Sequence, residues 1–188
     1  RLIANKKRAY TMSKKKNTEE PIETQLWKSA DKLRKNIDAA EYKHVVLGLI
    51  FLKYISDVWK DHQAKYQAEH PDSPELVEAM MQQESFVLPA DASFHALHTR
   101  RYEAGNGERI DKALHAIQEA NGNKLDQVFQ DIHFNSTKLG DDEQKNDLLR
   151  HLLEDFAKYA LALRPSRVGQ LDIIGGAYEY LIKHCAAT

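Results

Sequence analysis

The chain has 188 residues, 42% of them hydrophobic and 29% charged, which is ordinary for a soluble globular protein large enough to bury a core. Its net charge of −1 is uneven: residues 1–17 hold seven of the 27 basic side chains and no acid, so 20 basic and 28 acidic residues remain and the rest of the chain carries −8. That charge argues against autonomous nucleic-acid binding. A single cysteine, Cys185, excludes a disulfide framework and favours a reducing compartment, here the cytoplasm.

Residues 1–17 are predicted to be a disordered basic start. Met12 is followed by Ser-Lys-Lys-Lys, which is typical of a native N-terminus. Residues 1–11 would then lie outside the native chain, so the fold prediction does not include them. Between residues 22 and 37, apolar side chains recur at helical spacing after a proline and two acids, which predicts a first helix. Its outer face carries basic residues, among them Lys28, Lys32 and Lys35.

The strongest pattern is residues 45–52, which contain no polar side chain, followed by residues 53–59, in which one face is apolar. A segment that is apolar all round and then one-sided is typical of a helix that passes through the middle of a bundle. A capping box at residues 38–41 starts it, and His70-Pro71 stops it. We predict a central helix over about residues 39–68, with an apolar run too short for the ~20 residues of a membrane span.

Shorter elements follow. Ser73-Pro74 starts a small helix with Leu76, Val77 and Met80 predicted inward, residues 86–89 are predicted to be extended, and residues 93–97 form a helical turn. A helix from Glu108 ends at Asn121-Gly122, another is built on the leucines of residues 148–153 and ends before Arg164-Pro165, and a last one contains Gly175-Gly176. With no alternating strands, the predicted fold is an all-α, irregular helical bundle around the central helix.

Catalytic patterns are weak. His95 and His98 are three residues apart, but no further pair has matching ligand spacing, so surface histidines explain them better than zinc. Cys185 beside His184 lacks the pocket that an activated thiol needs. Gly105-Asn106-Gly107 has neither the preceding strand nor the following lysine of a phosphate loop. No catalytic, cofactor-binding or metal-binding residue is predicted in this chain.

Two segments carry a resemblance. The first contains Leu-Trp-Lys-Ser-Ala-Asp-Lys-Leu-Arg at residues 26–34 and continues through residues 41–56; the second is Leu-Asp-Ile-Ile-Gly-Gly-Ala-Tyr-Glu-Tyr-Leu-Ile at residues 171–182. Together they resemble the N-terminal helical domain of the modification (M) subunit of type I restriction-modification systems. Residues 86–89, 110–113 and 134–136 fall in the family's order. The resemblance assigns residues 18–184 to that domain.

The resemblance implies a subunit that transfers a methyl group from S-adenosylmethionine to the exocyclic amine of adenine in double-stranded DNA. It implies as partners a specificity (S) subunit, a second M subunit and a restriction (R) subunit, and no membrane. The N-terminal domain of such a subunit helps enclose DNA and contacts the specificity subunit. Basic residues that the domain could offer to DNA are Lys28, Lys32, Lys35, Arg100 and Arg101; a solvated helix face is the competing interpretation for each.

The chain departs from the family in one respect. Adenine methyltransferases of this kind need an Asn-Pro-Pro-Phe/Tyr loop that holds the flipped base, and none of the five prolines here follows an asparagine. The catalytic methyltransferase domain is therefore expected to be absent from this chain, which would be a non-catalytic module without its own cofactor. The alternative is a stand-alone helical protein-protein interaction module unrelated to methylation.

Overall fold

The computed structural model describes residues 39–84, 86–122 and 132–158. Within these ranges the chain forms five α-helices and two short 3-10 turns and no strand, which confirms the all-α prediction. The helices are α1 (Ala39–Glu69), α2 (Pro74–Gln82), α3 (Phe94–Thr99), α4 (Asn106–Ala120) and α5 (Asp142–Ala157). The predicted first helix, the capping Asp38, the glycine-pair helix and the domain limits at residues 17, 18 and 184 lie outside the described residues and stay predictions.

Helix α1 is the central element, as predicted, and is 31 residues long. Its middle is buried on every side that the structure describes, because α2, α3, α5 and the connecting turns pack around it. The buried apolar residues of α1 are Val45, Val46, Leu49, Ile50, Phe51, Leu52, Tyr54, Ile55 and Val58. Beyond Val58 the helix emerges into solvent. No helix in the described ranges combines the length and the apolar character that a membrane crossing requires.

A close contact explains the glycine in the middle of α1. A Cβ at Gly48 would come within 2.8 Å of two carbons of the Phe134 ring. A Cβ at Gly107, in the first turn of α4, would lie 2.6 Å from the carbonyl oxygen of Phe134. Asp111 fixes the same segment, since its carboxylate accepts hydrogen bonds from the backbone amides of Phe134 (2.7 Å) and Asn135 (3.0 Å). Phe134 is therefore locked between α1 and α4 and is fully buried.

Helix α2 differs in detail from its prediction. Val77 and Met81 form its buried stripe, whereas Leu76 is 44% exposed and Met80 is only partly buried. The inward position predicted for Val77 is confirmed, whereas the one predicted for Leu76 was wrong, because periodicity alone places the buried stripe of a short helix only within about one residue. His62 and Tyr66 of α1 both contact Glu84, just after α2, and tie the two helices together.

Residues 86–89, predicted to be extended, form an irregular connection in which Phe86 and Leu88 are buried in the core. Asn121, directly after α4, satisfies this backbone as a neighbouring strand would. Its side-chain Oδ1 accepts the Val87 amide at 2.8 Å, and its Nδ2 donates to the Val87 carbonyl at 2.9 Å and to the Ile117 carbonyl at 2.7 Å. One side chain thus closes α4 and pairs with the connection.

Side-chain caps start α3 and α5, and a contact between helices sets the start of α4. The Ser93 hydroxyl accepts the Ala96 amide at the start of α3, and Asp141 with Gln144 makes a reciprocal capping box at the start of α5. Helix α4 begins at Asn106 rather than at the predicted Glu108, because the buried Asn106 amide pairs with the side chain of Asn146 on α5. The described part of α5 ends at Ala157, so its predicted continuation to Arg164 lies outside the described residues.

Candidate functional site

Helix α3 separates two depressions in the surface. On one side, a cleft of about 490 Å³ lies between α1 and α3, and we call it the lysine cleft. Its lining combines cationic, polar and aromatic side chains, namely Lys53, Ser56, Asp57, Trp59, Lys60, Gln63, Leu88, Ser93, Phe94, His95, His98 and Ala157. On the other side, a groove of about 400 Å³ lies between α3 and α4, and we call it the alanine groove.

At the base of the lysine cleft, side chains of α1 contact the start of α3. Lys53, only 8% exposed, places its Nζ 3.0 Å from Oδ1 of Asp57 and 5.0 Å from the centroid of the Phe94 ring. The Oγ of the buried Ser56 accepts a hydrogen bond from the Phe94 amide at 2.9 Å. Lys53 is a cation held in a nearly dry position by a carboxylate and an aromatic face.

The rim of the lysine cleft is positive. Lys60 and His95 are exposed there, and no ion pair within the described ranges engages either side chain. His98 is half-buried and stacks on Phe94 with ring centroids 6.4 Å apart. Burial lowers the pKa of His98, and the positive charges of Arg101, His95 and Lys53 lower it further, against the opposing effect of Glu154. Burial disfavours the charged form of the imidazole, and the neighbouring cations disfavour it further.

The alanine groove has a different character. Small apolar residues form its floor, including Ala92, Ala96, Ala113 and Ala116, and its cations are Arg100, Arg109 and Lys112. Each cation is engaged by its own chain. The Arg100 guanidinium contacts Glu103 at 2.8 Å, Lys112 contacts Glu108 at 2.9 Å, and Arg109 donates to three backbone carbonyls, those of Arg100, Glu103 and Ala104.

Arg109 acts as the clamp of the turn that connects α3 to α4. Besides the three carbonyls it donates to Oδ1 of Asn106 at 2.7 Å. Its side chain is 15% exposed, burial lowers its pKa, and its Nε is the one buried side-chain nitrogen or oxygen in the described ranges that lacks a hydrogen-bond partner. A guanidinium that donates hydrogen bonds to several carbonyls of one turn fixes the conformation of that turn.

The five predicted DNA contacts fall in two groups. Lys28, Lys32 and Lys35 lie outside the described residues. Arg100 and Arg101 directly follow α3. Arg100 is 57% exposed, whereas Arg101 is 22% exposed and turns inward, donating to Glu154 of α5 at 3.2 Å and to the His98 carbonyl at 2.9 Å while its guanidinium stacks 4.5 Å from the Tyr102 ring. DNA contact at all five positions stays a prediction.

Metal chemistry finds no support in the part of the chain that the structure describes. His95 and His98 both line the lysine cleft, but no three His, Cys, Asp or Glu side chains of the described ranges lie close enough together to hold an ion. Cys185 and His184 lie outside those ranges.

Two cationic positions were missed by the sequence reasoning. Lys53 and Lys60 are seven residues apart, which places them on one face of α1 about 10.5 Å apart along the helix axis. That spacing was readable from the sequence. The sequence does not predict that α3 packs beside the same face of α1 and forms a cleft with it.

Comparison with known proteins identifies the family. The profile described as HsdM N-terminal domain matches residues 22–156. The type I restriction enzyme MjaIX methylase subunit of Methanocaldococcus jannaschii is 30% identical over an alignment of 176 positions, gaps included, and the alignment covers 86% of this chain and 30% of that protein. The type I restriction enzyme MpnII methylase subunit of Mycoplasma pneumoniae is 26% identical over an alignment of 202 positions, gaps included, and the alignment covers 89% of this chain and 36% of the relative.

A solved structure agrees. The type I restriction-modification methyltransferase subunit from Streptococcus thermophilus superposes with a TM-score of 0.61 at 27% identity, covering 87% of this chain and 38% of that one. The chain thus spans about a third of the length of each relative. Nothing in these matches supports a stand-alone interaction module, and the predicted resemblance is confirmed. The chain belongs to the HsdM N-terminal domain family, the N-terminal domain of type I methylase subunits.

Proposed function

We propose that this domain serves a type I DNA methyltransferase by helping to enclose double-stranded DNA and by contacting the specificity subunit. The full-length subunit would transfer a methyl group from S-adenosylmethionine to the exocyclic amine of adenine, in a cytoplasmic complex with a specificity subunit, a second methylase subunit and a restriction subunit. The observation that carries the proposal is the family match over residues 22–156, joined to a helical fold shared with a solved methyltransferase subunit.

The described residues do not fit S-adenosylmethionine. Residues 39–84, 86–122 and 132–158 form helices and short turns without a strand, so they do not build the strand, glycine-rich turn and helix of a doubly wound cofactor-binding fold. The lysine cleft is positive, which also disfavours a ligand whose sulfonium is a cation. Binding of the cofactor and the methyl-transfer step are therefore assigned to another part of the full-length subunit.

Charge limits what the domain does with DNA. Outside residues 1–17 the chain carries −8, so a broad electrostatic grip on the phosphate backbone is unfavourable. A few cations can still place the duplex once other subunits supply most of the affinity, because phosphate contacts position DNA without reading its sequence. The predicted contacts Lys28, Lys32 and Lys35, with Arg100 and Arg101, would have this role.

The experiment compares two charge reversals in the complex of the full-length methylase subunit with its specificity subunit. Lys32→Glu removes one proposed phosphate contact, and Lys65→Glu, an exposed position of α1 outside both depressions, is the matched control. DNA affinity is measured from 50 to 200 mM salt. We expect Lys32→Glu to weaken binding and to reduce the slope of log affinity against log salt by about 0.9, with no change of slope in the control.

The same complexes are assayed for transfer of a radiolabelled methyl group to a duplex and to a duplex whose target adenines are replaced. Transfer that requires those adenines is the expected result. A complex that methylates no DNA, or one from which this domain can be deleted without loss of DNA binding, would overturn the proposal.

A further inference from the structure

The lysine cleft concentrates positive charge in an otherwise acidic protein. Lys53 and Lys60 lie on its α1 wall, and His95 and His98 lie on its α3 wall. The carboxylate that lines the cleft, Asp57, is neutralised by Lys53 at 3.0 Å. Lys60 and His95 on the rim are exposed and have no ion pair in the described part of the chain, so the ammonium and the imidazole both face solvent.

The cleft also has the size and lining of a small-molecule site. Its volume of about 490 Å³ lies inside the range of roughly 300–1,000 Å³ that small-ligand pockets occupy. Trp59 supplies a partly buried aromatic wall that is held edge-on against Phe86, with ring centroids 6.2 Å apart. Leu88 adds an apolar surface on the same side. Cations beside an aromatic wall suit a ligand that joins an anionic group to a flat ring.

The alanine groove differs from the lysine cleft in how its cations are engaged. It is almost as large and also carries three cations, but its cations are paired with carboxylates or backbone carbonyls of the same chain. An anion entering the groove would have to displace those partners. An anion entering the lysine cleft meets Lys60 and His95 directly, and Lys53 lies at the base.

We propose that the lysine cleft binds a phosphorylated small molecule of nucleotide size, with Lys60 and His95 holding the phosphate and Trp59 packing against the ring. This site is independent of the proposed role in DNA methylation and of the domain's partners. A lysine ammonium and an imidazole N–H both donate to phosphate oxygens, and the hydrogen bond from the ammonium is charge-assisted and therefore strong.

The test is titration of the 188-residue chain with ADP, inorganic phosphate and adenosine, followed by calorimetry and by the proton resonances of His95 and His98. We expect ADP to bind and to shift both histidine resonances, with inorganic phosphate and adenosine each binding at least about tenfold more weakly. Lys60→Gln should weaken ADP binding by roughly tenfold or more, whereas Lys65→Gln, on the same helix outside the cleft, should leave it unchanged. Circular dichroism checks that both variants fold.

Four results would overturn the proposal. They are the absence of ADP binding at millimolar concentration, equal binding by phosphate and ADP, insensitivity of ADP binding to Lys60→Gln, and tighter, Lys60-dependent binding of a short DNA duplex than of ADP. The last result would assign the cleft to the DNA backbone instead of a small molecule.

Discussion

The two sides of α3 show how differently the same residue types can be used. On the side of α4, the cations of the alanine groove are engaged by their own chain: Arg109 holds the turn after α3, and Arg100 and Lys112 pair with neighbouring glutamates. On the side of α1, Lys53 is buried as part of a joint, but Lys60 and His95 are left to solvent. A basic residue is available to a partner only where its own chain has not already engaged it.

The difference has an energetic meaning. Exposed ion pairs contribute little to stability, typically about 0–1 kcal/mol, yet they compete with any external anion for the same cation. A fork of hydrogen bonds to backbone carbonyls contributes more and competes more strongly. The predictions below test this division of roles between the two sides.

The largest effect is expected on the groove side. Arg109→Ala removes the donors to the carbonyls of the α3–α4 turn, and we expect it to lower the free energy of unfolding by about 2 kcal/mol. The matched control is Lys112→Ala, one turn further along α4, whose 75% exposed side chain should contribute no more than about 0.5 kcal/mol. Urea denaturation measures both. Equal effects would contradict the view that Arg109 is structural.

A smaller effect is expected for Arg101. Its partly buried pair with Glu154 joins the end of α3 to α5, so Arg101→Ala should lower the free energy of unfolding by about 1 kcal/mol. Arg100→Ala is the neighbouring control, and because both partners of its ion pair are exposed we expect no measurable shift of the denaturation midpoint. A greater loss at Arg100 than at Arg101 would reverse the assignment of inward and outward arginines.

The smallest effect concerns pH and the cleft side. The pKa of His98 is lowered in the folded protein by burial and by Arg101, His95 and Lys53, while Glu154 acts against them. Below the unfolded value near 6.5 the unfolded chain takes up this proton more readily, so His98 lowers stability as the pH falls from there through its folded pKa. His98→Gln should therefore flatten the decline of stability between pH 7 and pH 5.

Denaturation at several pH values and an NMR titration of His98 check this prediction together. A folded-state pKa at or above 6.5 would contradict the combined effect of burial and of the neighbouring cations on His98.

Much of the fold was predictable because its signals are local. The run without polar residues gave the central helix to within a residue or so, since the predicted range of about 39–68 compares with Ala39–Glu69. Prolines and caps gave the starts of α2 and α3 for the same reason. The family resemblance, which rested on whole segments instead of single residues, is also confirmed.

The site was less predictable because its chemistry depends on distant residues. Arg100 and Arg101 look equivalent in sequence, but Arg101 faces Glu154, 53 residues away, and so turns inward. Lys53 follows an apolar run and was read as the polar side of a helix, whereas α3 covers it. Leu76 looked like a core residue and is 44% exposed. In each case a contact between elements decided the outcome.

Asn121 is a position at which slow chemical modification would affect the fold. It is followed by Gly122, which has a φ of 62° and no side chain. The backbone nitrogen of Gly122 can therefore attack the side-chain amide carbon of Asn121 without steric hindrance and release ammonia, so the pair is a candidate for deamidation. Conversion to aspartate would keep an acceptor for the Val87 amide but remove both Nδ2 donations, to the Val87 and Ile117 carbonyls. Loss of these two hydrogen bonds would destabilise the connection that places Phe86 and Leu88 in the core. Because Leu88 lines the lysine cleft, one wall of the cleft would be destabilised as well.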